Sequence, residues 1–560
     1  MPRLFALAAL IVAAVFAAGL CKVADLDFWW HLRTGKLIVD ERAIPHHDVY
    51  SYTALGREYV DHEWLFQVIQ WGVWSAAGPA GVAIFKSLVF SATFVLVALY
   101  LVRRHKVWPP AVLGLIFLAI AGGITRLIER PEMFSTLFAV LTFMVCEGLG
   151  ARGSGLRKDG DPGARSPEPA SGRFPIMRNP ILLLPLICMV WANIHAAVIV
   201  GLLIQGAFIA AAMVENRAAF RPRLIAFIAS VGATCLNPVG VRVLSVPFEL
   251  TSIIDSGVIN NAEWRSPTFR NAPFFYVSVT LTIALLAYGL RRAGVARLLI
   301  GAFLAFISLR YIRNIGLFCT FMPLLLAPEI ARWRREPAAV LGAAGAGALL
   351  FALTVYYPFQ RGFGEASYFP DGLVRYVDSN EMEGRMLNSY GIGGYLIWKF
   401  YPERLVFIDG RNEVYLPLLQ RLQVARGNSR EWLRLLNDYR IEFAVLEYVD
   451  KLDRVTVMAP DGSVSTTEMP VSVARFPRTR WALVHWDDDG MILVRRDGAN
   501  AALTSREYAA VVPEGRGYLT TLVESGAVSR ELAVAELQRK LQEDPGSRRA
   551  RGLLAAIQNR

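Results

Sequence analysis

The sequence is poor in charged residues and rich in apolar ones. Only 19% of its 560 residues are charged, 54% are hydrophobic and the mean hydropathy is +0.37. Soluble domains carry about a quarter charged residues, so this composition indicates a membrane protein. The net charge is +12, but most arginines flank apolar segments and act there as orientation signals. We therefore predict no nucleic-acid partner.

Cysteine is scarce, with five residues, none of which follows Cys319. The sequence has no CxxC pair and no metal-ligand spacing, which argues against a disulfide framework. The HExxH motif of metalloproteases is also absent. Residues 1–20 resemble a signal peptide, but Leu20 stands where a lipoprotein site requires a small residue. We predict an uncleaved first helix.

Apolar runs long enough to cross a hydrocarbon core of about 30 Å recur up to Tyr357. Basic clusters begin near Arg103, Arg152, Arg217 and Arg291, with a fifth at 332–335. If the N-terminus is cytoplasmic, all five clusters lie on the cytoplasmic side, as the positive-inside bias requires. About eleven transmembrane helices are predicted, near 4–21, 79–102, 109–125, 132–149, 180–194, 196–214, 224–236, 273–290, 298–309, 315–328 and 338–357.

The remainder of the chain is water-soluble in composition. Strands are predicted at RMLNS, RLVFIDG, IEFAVLEY and the hairpin WALVHW/MILVRR, and helices at GGYLIWKF and SREWLRLLNDY. The predicted fold class is a polytopic α-helical membrane protein with a C-terminal extracytoplasmic α/β domain and a short helical tail. The predicted divisions are a transmembrane domain 1–357 with a large first outer loop 22–78, a cytoplasmic linker 150–178, an α/β domain 358–500 and a tail 501–560 that loosely resembles a tetratricopeptide unit.

The first outer loop gathers more ionisable groups than any other part of the first half. Between Asp25 and Trp64 they are mixed with Trp and Tyr residues. Asp25 and Asp27 either cap a helix that begins at Phe28, or supply a general base, or ligate a divalent metal. His31 is either an interfacial histidine or a site residue. Further acidic and imidazole groups in the loop are Asp48, Asp61, His62 and Glu63.

Arginines on the predicted outer side run against the positive-inside bias, so orientation does not explain them. Arg126 and Arg130 share a helical face with Glu129 close by, and form either an internal ion pair or part of a site. Arg310 and Arg313 have no acidic residue nearby in sequence. The guanidinium fork suits phosphate. Carboxylates and arginines beside lipid fit transfer from a lipid-linked phosphate donor, and they also fit a transporter of an anionic substrate.

The segments LDFWWHLRTGKLI, DVYSYT and YVDHEWL resemble the first outer loop of the C-type glycosyltransferases, multi-spanning enzymes that use polyprenyl-phosphate sugars. The overall layout is also similar. GIGGYL faintly resembles the WWDYG segment of oligosaccharyltransferases, but it lacks the tryptophans and the aspartate, so acceptor-peptide binding is not implied.

The resemblance implies transfer of a sugar from a polyprenyl-phosphate donor to an extracytoplasmic acceptor. It implies Asp25 or Asp27 as the catalytic base or as the ligand of a divalent metal, Mg²⁺ or Mn²⁺. His31 and Glu63 would be secondary site residues. The donor phosphate would be held by Arg310 and Arg313, with Arg126 or Arg130.

The expected location is the bacterial cytoplasmic membrane, with membrane lipid and a polyprenyl-phosphate sugar as partners. Two alternatives stay open. One is a transporter or flippase of an anionic lipid-linked substrate, against which the sequence shows no internal repeat of its apolar spans. The other is a non-catalytic membrane protein that uses its outer domain and tail for assembly.

Overall fold

The computed structural model of the chain describes residues 2–153, 180–257, 262–290, 292–356, 360–458, 464–515 and 517–558. The chain forms two compact units, one from Met1–Ile44 and Val60–Glu365, the other from Pro45–Tyr59 and Ala366–Arg560. The second unit thus includes fifteen residues of the predicted first outer loop, Pro45–Tyr59. Nearly all of the predicted linker 150–178 lies outside the described residues.

The described part of the first unit is built from helices, and a helix stands at each of the eleven predicted spans. The helices at these spans are Pro2–Gly19, Trp64–Arg104, Pro109–Gly123, Glu132–Gly153, Leu183–Ala192, Val198–Glu215, Phe220–Thr234, Pro273–Tyr288, Val295–Arg310, Ile315–Ile330 and Arg335–Phe351. Phe28–Glu41 and Val246–Asp255 are further helices outside the predicted spans.

Within the described residues, five helices are long and apolar enough to cross a membrane: Pro2–Gly19, Trp64–Arg104, Pro109–Arg126, Val198–Glu215 and Arg335–Val355. The chain is thus a multi-pass membrane protein. Leu183–Ala192 and Pro273–Tyr288 are shorter apolar helices. The number of eleven crossings stays a prediction.

The helix Trp64–Arg104 is really two helices joined at a kink. Gly78 has φ 57° and ψ −152°, a conformation that a residue without a Cβ adopts easily, and Pro79 follows it. The span predicted from the apolar run began at residue 79, which coincides with this kink. The sequence did not predict the preceding helical turns, which place Glu63 and Gln67 beside the helix Phe28–Glu41.

The second unit contains a four-stranded sheet in the order β1-β2-β6-β5 and a separate hairpin β3-β4. Strand β1 (Arg385–Asn388) is parallel to β2 (Ile441–Glu447), and β6 (Gly490–Arg495) runs antiparallel to both β2 and β5 (Trp481–Trp486). The hairpin consists of β3 (Leu452–Met458) and β4 (Val464–Pro470). Its helices are Asp371–Ser379, Gly393–Phe400, Leu416–Arg426, Ser429–Asp438, Val471–Arg475, Tyr518–Glu524, Arg530–Glu543 and Arg548–Gln558.

Most local predictions for this unit are found in the structure, with one error. RLVFIDG is not a strand: it makes only an isolated bridge, between Val406 and Ser51. Its apolar residues Val406, Phe407 and Ile408 are buried. The apolar pattern therefore reflects side-chain packing and not hydrogen-bonded pairing with a neighbouring strand. The hairpin β3-β4 was not predicted.

A buried charge network holds the segment Pro45–Tyr59 within the second unit. Arg411 donates to both oxygens of Asp409, at 2.8 and 2.6 Å, and lies 2.7 Å from Asp48 Oδ1. The side chains of Arg411, Asp409 and Asp48 are all fully buried. The buried ion pairs of Asp409 and Asp48 with Arg411 therefore stabilise the fold within this unit.

Candidate functional site

Arg130 binds the aspartates of the first loop. It donates to both oxygens of Asp25, from Nε at 2.6 Å and from one terminal nitrogen at 2.5 Å. The same terminal nitrogen lies 3.0 Å from Asp27 Oδ2, and the other donates to Glu263 at 2.7 Å. A planar guanidinium suits such paired contacts. Three carboxylates that lie far from Arg130 in sequence thus converge on its guanidinium.

The backbone beside Asp25 is also fixed. Glu129 accepts hydrogen bonds from the main-chain nitrogens of Ala24 and Asp25, at 3.0 and 3.3 Å. Lys86, 1% exposed, donates to the other oxygen of Glu129 at 2.8 Å. Arg130 thus orients the Asp25 side chain while Lys86 and Glu129 hold its backbone.

Arg126 and Arg313 extend this network. Arg126 donates to Glu263 at 2.7 Å and to Glu132, and Arg313 donates to the other oxygen of Glu132 at 3.1 Å. The Arg313 guanidinium also lies 4.5 Å from the ring centre of Trp264. We call this set the arginine–carboxylate cluster: Asp25, Asp27, Arg126, Arg130, Glu132, Glu263 and Arg313.

The structure separates Arg310 from the other three arginines selected from the sequence. Arg126 and Arg130 do form internal ion pairs, although not with Glu129, which bonds Lys86. Arg310 is not part of the cluster: it is 52% exposed and pairs with Asp255 at 3.3 Å. Arg313, 22% exposed, is the most open guanidinium of the cluster. Phosphate binding by these arginines stays a proposal.

Helix capping does not account for the two aspartates. Asp27 occupies the N-cap position of Phe28–Glu41 but makes no side-chain capping bond. Its Oδ1 instead accepts from Trp30 Nε1 at 3.3 Å. Asp25 is turned towards Arg130.

Burial and neighbouring charges shift the pKa values of Asp25 and Glu263 in opposite directions. Burial raises the pKa of Asp25 to about 7, and Arg130 opposes this rise. Burial also disfavours ionised Glu263, but Arg130 and Arg126 outweigh it and lower that pKa to about 2. A proton entering the cluster near neutral pH therefore binds Asp25 in preference to Glu263.

The described geometry does not fit a metal at Asp25 and Asp27. No group of three or more His, Cys, Asp or Glu residues in the described part of the chain is arranged to hold a metal ion. Both oxygens of Asp25 bond Arg130, so the guanidinium stands where a cation would bind. The metal predicted at these residues is not favoured by this arrangement.

Three histidines surround Glu63 in the first unit. His31 Nε2 lies 3.5 Å from Glu63 Oε2, and His195 and His62 Nε2 lie 3.6 and 3.7 Å from Oε1. All four side chains are between 4% and 13% exposed. We call this set the histidine–glutamate cluster. Of its members, sequence reasoning selected only His31 and Glu63 as site residues.

Close helix packing brings His31 into this cluster. At Gly35 an added Cβ would come within 2.0 Å of the Gln67 carbonyl oxygen, so only glycine permits the observed approach. Gln67 Nε2 lies 3.5 Å from His31 Nδ1 and donates to Asp61 Oδ1 at 2.9 Å. His195 comes from the turn after Leu183–Ala192, where WANIHAA places polar residues between two apolar runs.

Asp61 is a buried carboxylate without a guanidinium contact. It is 2% exposed, and its Oδ2 has no hydrogen-bond partner among the described residues. Burial raises the pKa of Asp61 to about 7. The neutral acid is therefore favoured by the folded state.

Asp61→Asn is expected to raise the melting temperature more at pH 8 than at pH 5. The folded pKa exceeds the ordinary aspartate pKa of 3.8, so the stabilising effect of the neutral acid is lost as pH rises through about 7. An amide removes up to ~4 kcal/mol of this penalty above pH 7 and little below pH 4. Thermal unfolding in detergent would measure it, with exposed Asp40→Asn as the control. Equal destabilisation at both pH values would contradict the assignment.

No protein-family model and no curated protein matches this sequence. Solved structures do match. Archaeal oligosaccharyltransferase AglB from Archaeoglobus fulgidus, solved with an inhibitory peptide and a dolichol-phosphate, aligns over 96% of this chain and 86% of its own, with a TM-score of 0.60 and 11% identity. The chain has the C-type glycosyltransferase fold.

Two further structures of the A. fulgidus oligosaccharyltransferase support the C-type glycosyltransferase fold. The apo form covers 86% of this chain and 79% of its own, at 10% identity and a TM-score of 0.56. A form tethered to an acceptor peptide covers 83% and 74%, at 11% identity and a TM-score of 0.53. The fold that the first-loop resemblance implied is therefore confirmed.

Proposed function

We propose that this protein is a membrane glycosyltransferase that moves a sugar from a polyprenyl-phosphate donor to an extracytoplasmic acceptor. The observation that carries the proposal is the arginine–carboxylate cluster, which joins Asp25 and Asp27 to three arginines in a chain of C-type fold. The AglB structure contains a dolichol-phosphate, a lipid-linked phosphate of the class proposed here. The proposal includes a bacterial cytoplasmic membrane location and a cytoplasmic N-terminus.

Exposure distinguishes the roles of the two aspartates. Asp25 is 5% exposed and held through both oxygens, whereas Asp27 is 30% exposed. We therefore place Asp27 next to the reacting sugar, where its carboxylate either takes the acceptor's proton or stabilises positive charge at the anomeric carbon. Asp25 and Arg130 hold the loop in position.

The donor phosphate is assigned to Arg313, with Arg310 as a second candidate. Both are more exposed than Arg126 and Arg130. Since a phosphodiester releases an already ionised phosphate, the leaving group requires charge stabilisation and no general acid. Arginine supplies that stabilisation in the form of a planar donor.

The test is sugar transfer by the purified full chain in nanodiscs, with a panel of polyprenyl-phosphate sugars and acceptors. Asp27→Asn is expected to lower kcat by at least about 100-fold, the size of a lost base or electrostatic contact. Asp25→Asn is expected to have a smaller effect, and exposed Asp40→Asn none. Full transfer activity in both first-loop variants would remove the aspartates from catalysis. Movement of a lipid-linked donor across proteoliposomes without transfer would favour the transporter alternative.

A further inference from the structure

The histidine–glutamate cluster has a defined donor and acceptor pattern. Trp191 Nε1, which can only donate, bonds Ser135 Oγ at 2.8 Å. Ser135 Oγ lies 2.7 Å from His195 Nδ1, and since Trp191 already donates to this oxygen, we assign the hydroxyl proton to the bond with that nitrogen. Burial lowers the pKa of His195 to about 3, so the ring is neutral and its proton resides on Nε2. That Nε2 faces Glu63 Oε1.

The other carboxylate oxygen of Glu63, Oε2, faces His31, whose proton can be assigned in the same way. Asp61 accepts from Gln67 Nε2, and this bond fixes which end of the Gln67 amide faces His31. Because an amide nitrogen only donates, His31 Nδ1 is the acceptor in this contact, at 3.5 Å. The His31 proton is therefore on Nε2, which faces Glu63 Oε2. Each carboxylate oxygen of Glu63 thus has an imidazole N–H directed towards it.

His62 has the reverse tautomer. Its Nδ1 lies 3.1 Å from the Val60 carbonyl oxygen, which can only accept, so Nδ1 carries the proton. Its Nε2 lies 3.7 Å from Glu63 Oε1. A lone pair on Nε2 and the carboxylate oxygen would hold a proton between them. The Glu63–His62 pair is therefore built to accept one proton.

We propose that Glu63 is the proton acceptor of the reaction, that His62 shares the proton, and that His31 and His195 are positioning residues. This inference rests on the proposed glycosyl transfer. The acceptor's O–H or N–H bond breaks and its proton moves to Glu63. The freed electron pair forms the bond to the anomeric carbon, and the carbon–oxygen bond to phosphate breaks, its electron pair leaving with the polyprenyl phosphate.

The two clusters then divide the chemistry. In the arginine–carboxylate cluster both oxygens of Asp25 bond Arg130, so a proton taken up by this aspartate would displace an Arg130 contact. Glu63 is surrounded by three imidazoles instead. His195 is close enough to Glu132, Arg313 and Arg130 for their charges to influence its pKa. Asp27 is left with charge stabilisation at the sugar.

The first test measures tautomers directly and requires no substrate. The full chain in nanodiscs, labelled with ¹⁵N-histidine, contains seven histidines, which single substitutions can assign. His31 and His195 are expected as neutral Nε2–H tautomers, and His62 with a proton on Nδ1. Ser135→Ala is expected to change the His195 signals and leave those of exposed His47 unchanged. An Nδ1–H tautomer at His31 or His195 would overturn the proposal.

The second test separates proton transfer from binding. Glu63→Gln is expected to lower kcat at least about 100-fold with the donor KM within about twofold, as for loss of a general base. Ser135→Ala is expected to lower kcat about tenfold, again with little change in KM, and exposed His47→Gln to match the unmutated protein. Unchanged kcat in Glu63→Gln, or a raised donor KM alone, would overturn the role. If no donor supports turnover in the unmutated chain, the proposed function fails, while the tautomers still decide whether the cluster is built as described.

Discussion

Replacing Arg130 with methionine is expected to abolish sugar transfer and to destabilise the first unit. One guanidinium contacts Asp25, Asp27 and Glu263, and its removal leaves three carboxylates together. Breaking a buried ion pair by deleting one partner costs about 3–5 kcal/mol, because the remaining charge stays buried without compensation. Arg130→Lys keeps the charge but not the planar fork, so an intermediate loss is expected.

Thermal unfolding and donor turnover of the purified chain would measure both effects. Arg217→Met, at an exposed arginine of the same unit, is the matched control. The double variant Arg130→Met/Asp25→Asn is expected to recover part of the lost stability, because it removes one of the uncompensated charges. An Arg130→Met protein with unchanged melting temperature and turnover would show that the cluster serves neither purpose.

Arg411→Met is expected to destabilise the second unit by about 3–5 kcal/mol. Asp48 and Asp409 are fully buried, and Arg411 is the cation that contacts both. The guanidinium also lies over the rings of Tyr50 and Tyr59, at 4.9 and 5.1 Å. Its loss therefore removes the charge compensation and part of the packing of the segment Pro45–Tyr59.

Arg421→Met is the matched control for this variant. Arg421 pairs with Asp438, but the two side chains are 35% and 60% exposed, and such surface pairs contribute about 0–1 kcal/mol. Unfolding of the full chain followed by tryptophan fluorescence would compare them. If Arg411→Met and Arg421→Met unfold at the same temperature, the buried network does not stabilise the unit.

Local patterns predicted the helices well, since apolar runs and Gly-Pro breaks act over a few residues. The hairpin β5-β6 and the helices Gly393–Phe400 and Ser429–Asp438 are all in the structure. RLVFIDG shows where this reasoning fails. An apolar segment buried by side-chain packing and a true strand have the same local pattern.

The site was predicted only in part, because its partners are remote in sequence. Asp25 and Arg130 were both selected, but nothing local pairs residues that lie 105 positions apart. Glu263 and His195 each stand beside an apolar helix and look like ordinary interfacial residues. Their role depends on the helix packing that brings them to Arg130 and Glu63.

The division of the chain into Pro45–Tyr59 plus Ala366–Arg560 has a consequence for synthesis. Asp48 and Tyr50 leave the ribosome about 360 residues before Arg411 does, a delay of roughly 20–70 s at ordinary elongation rates of about 5–20 residues/s. During that interval the segment 45–59, whose residues Asp48 and Tyr50 are buried in the folded unit, has been synthesised without its partner Arg411. A recombinant fragment that begins at residue 366 would lack Asp48. A recombinant second unit should therefore also include residues 45–59.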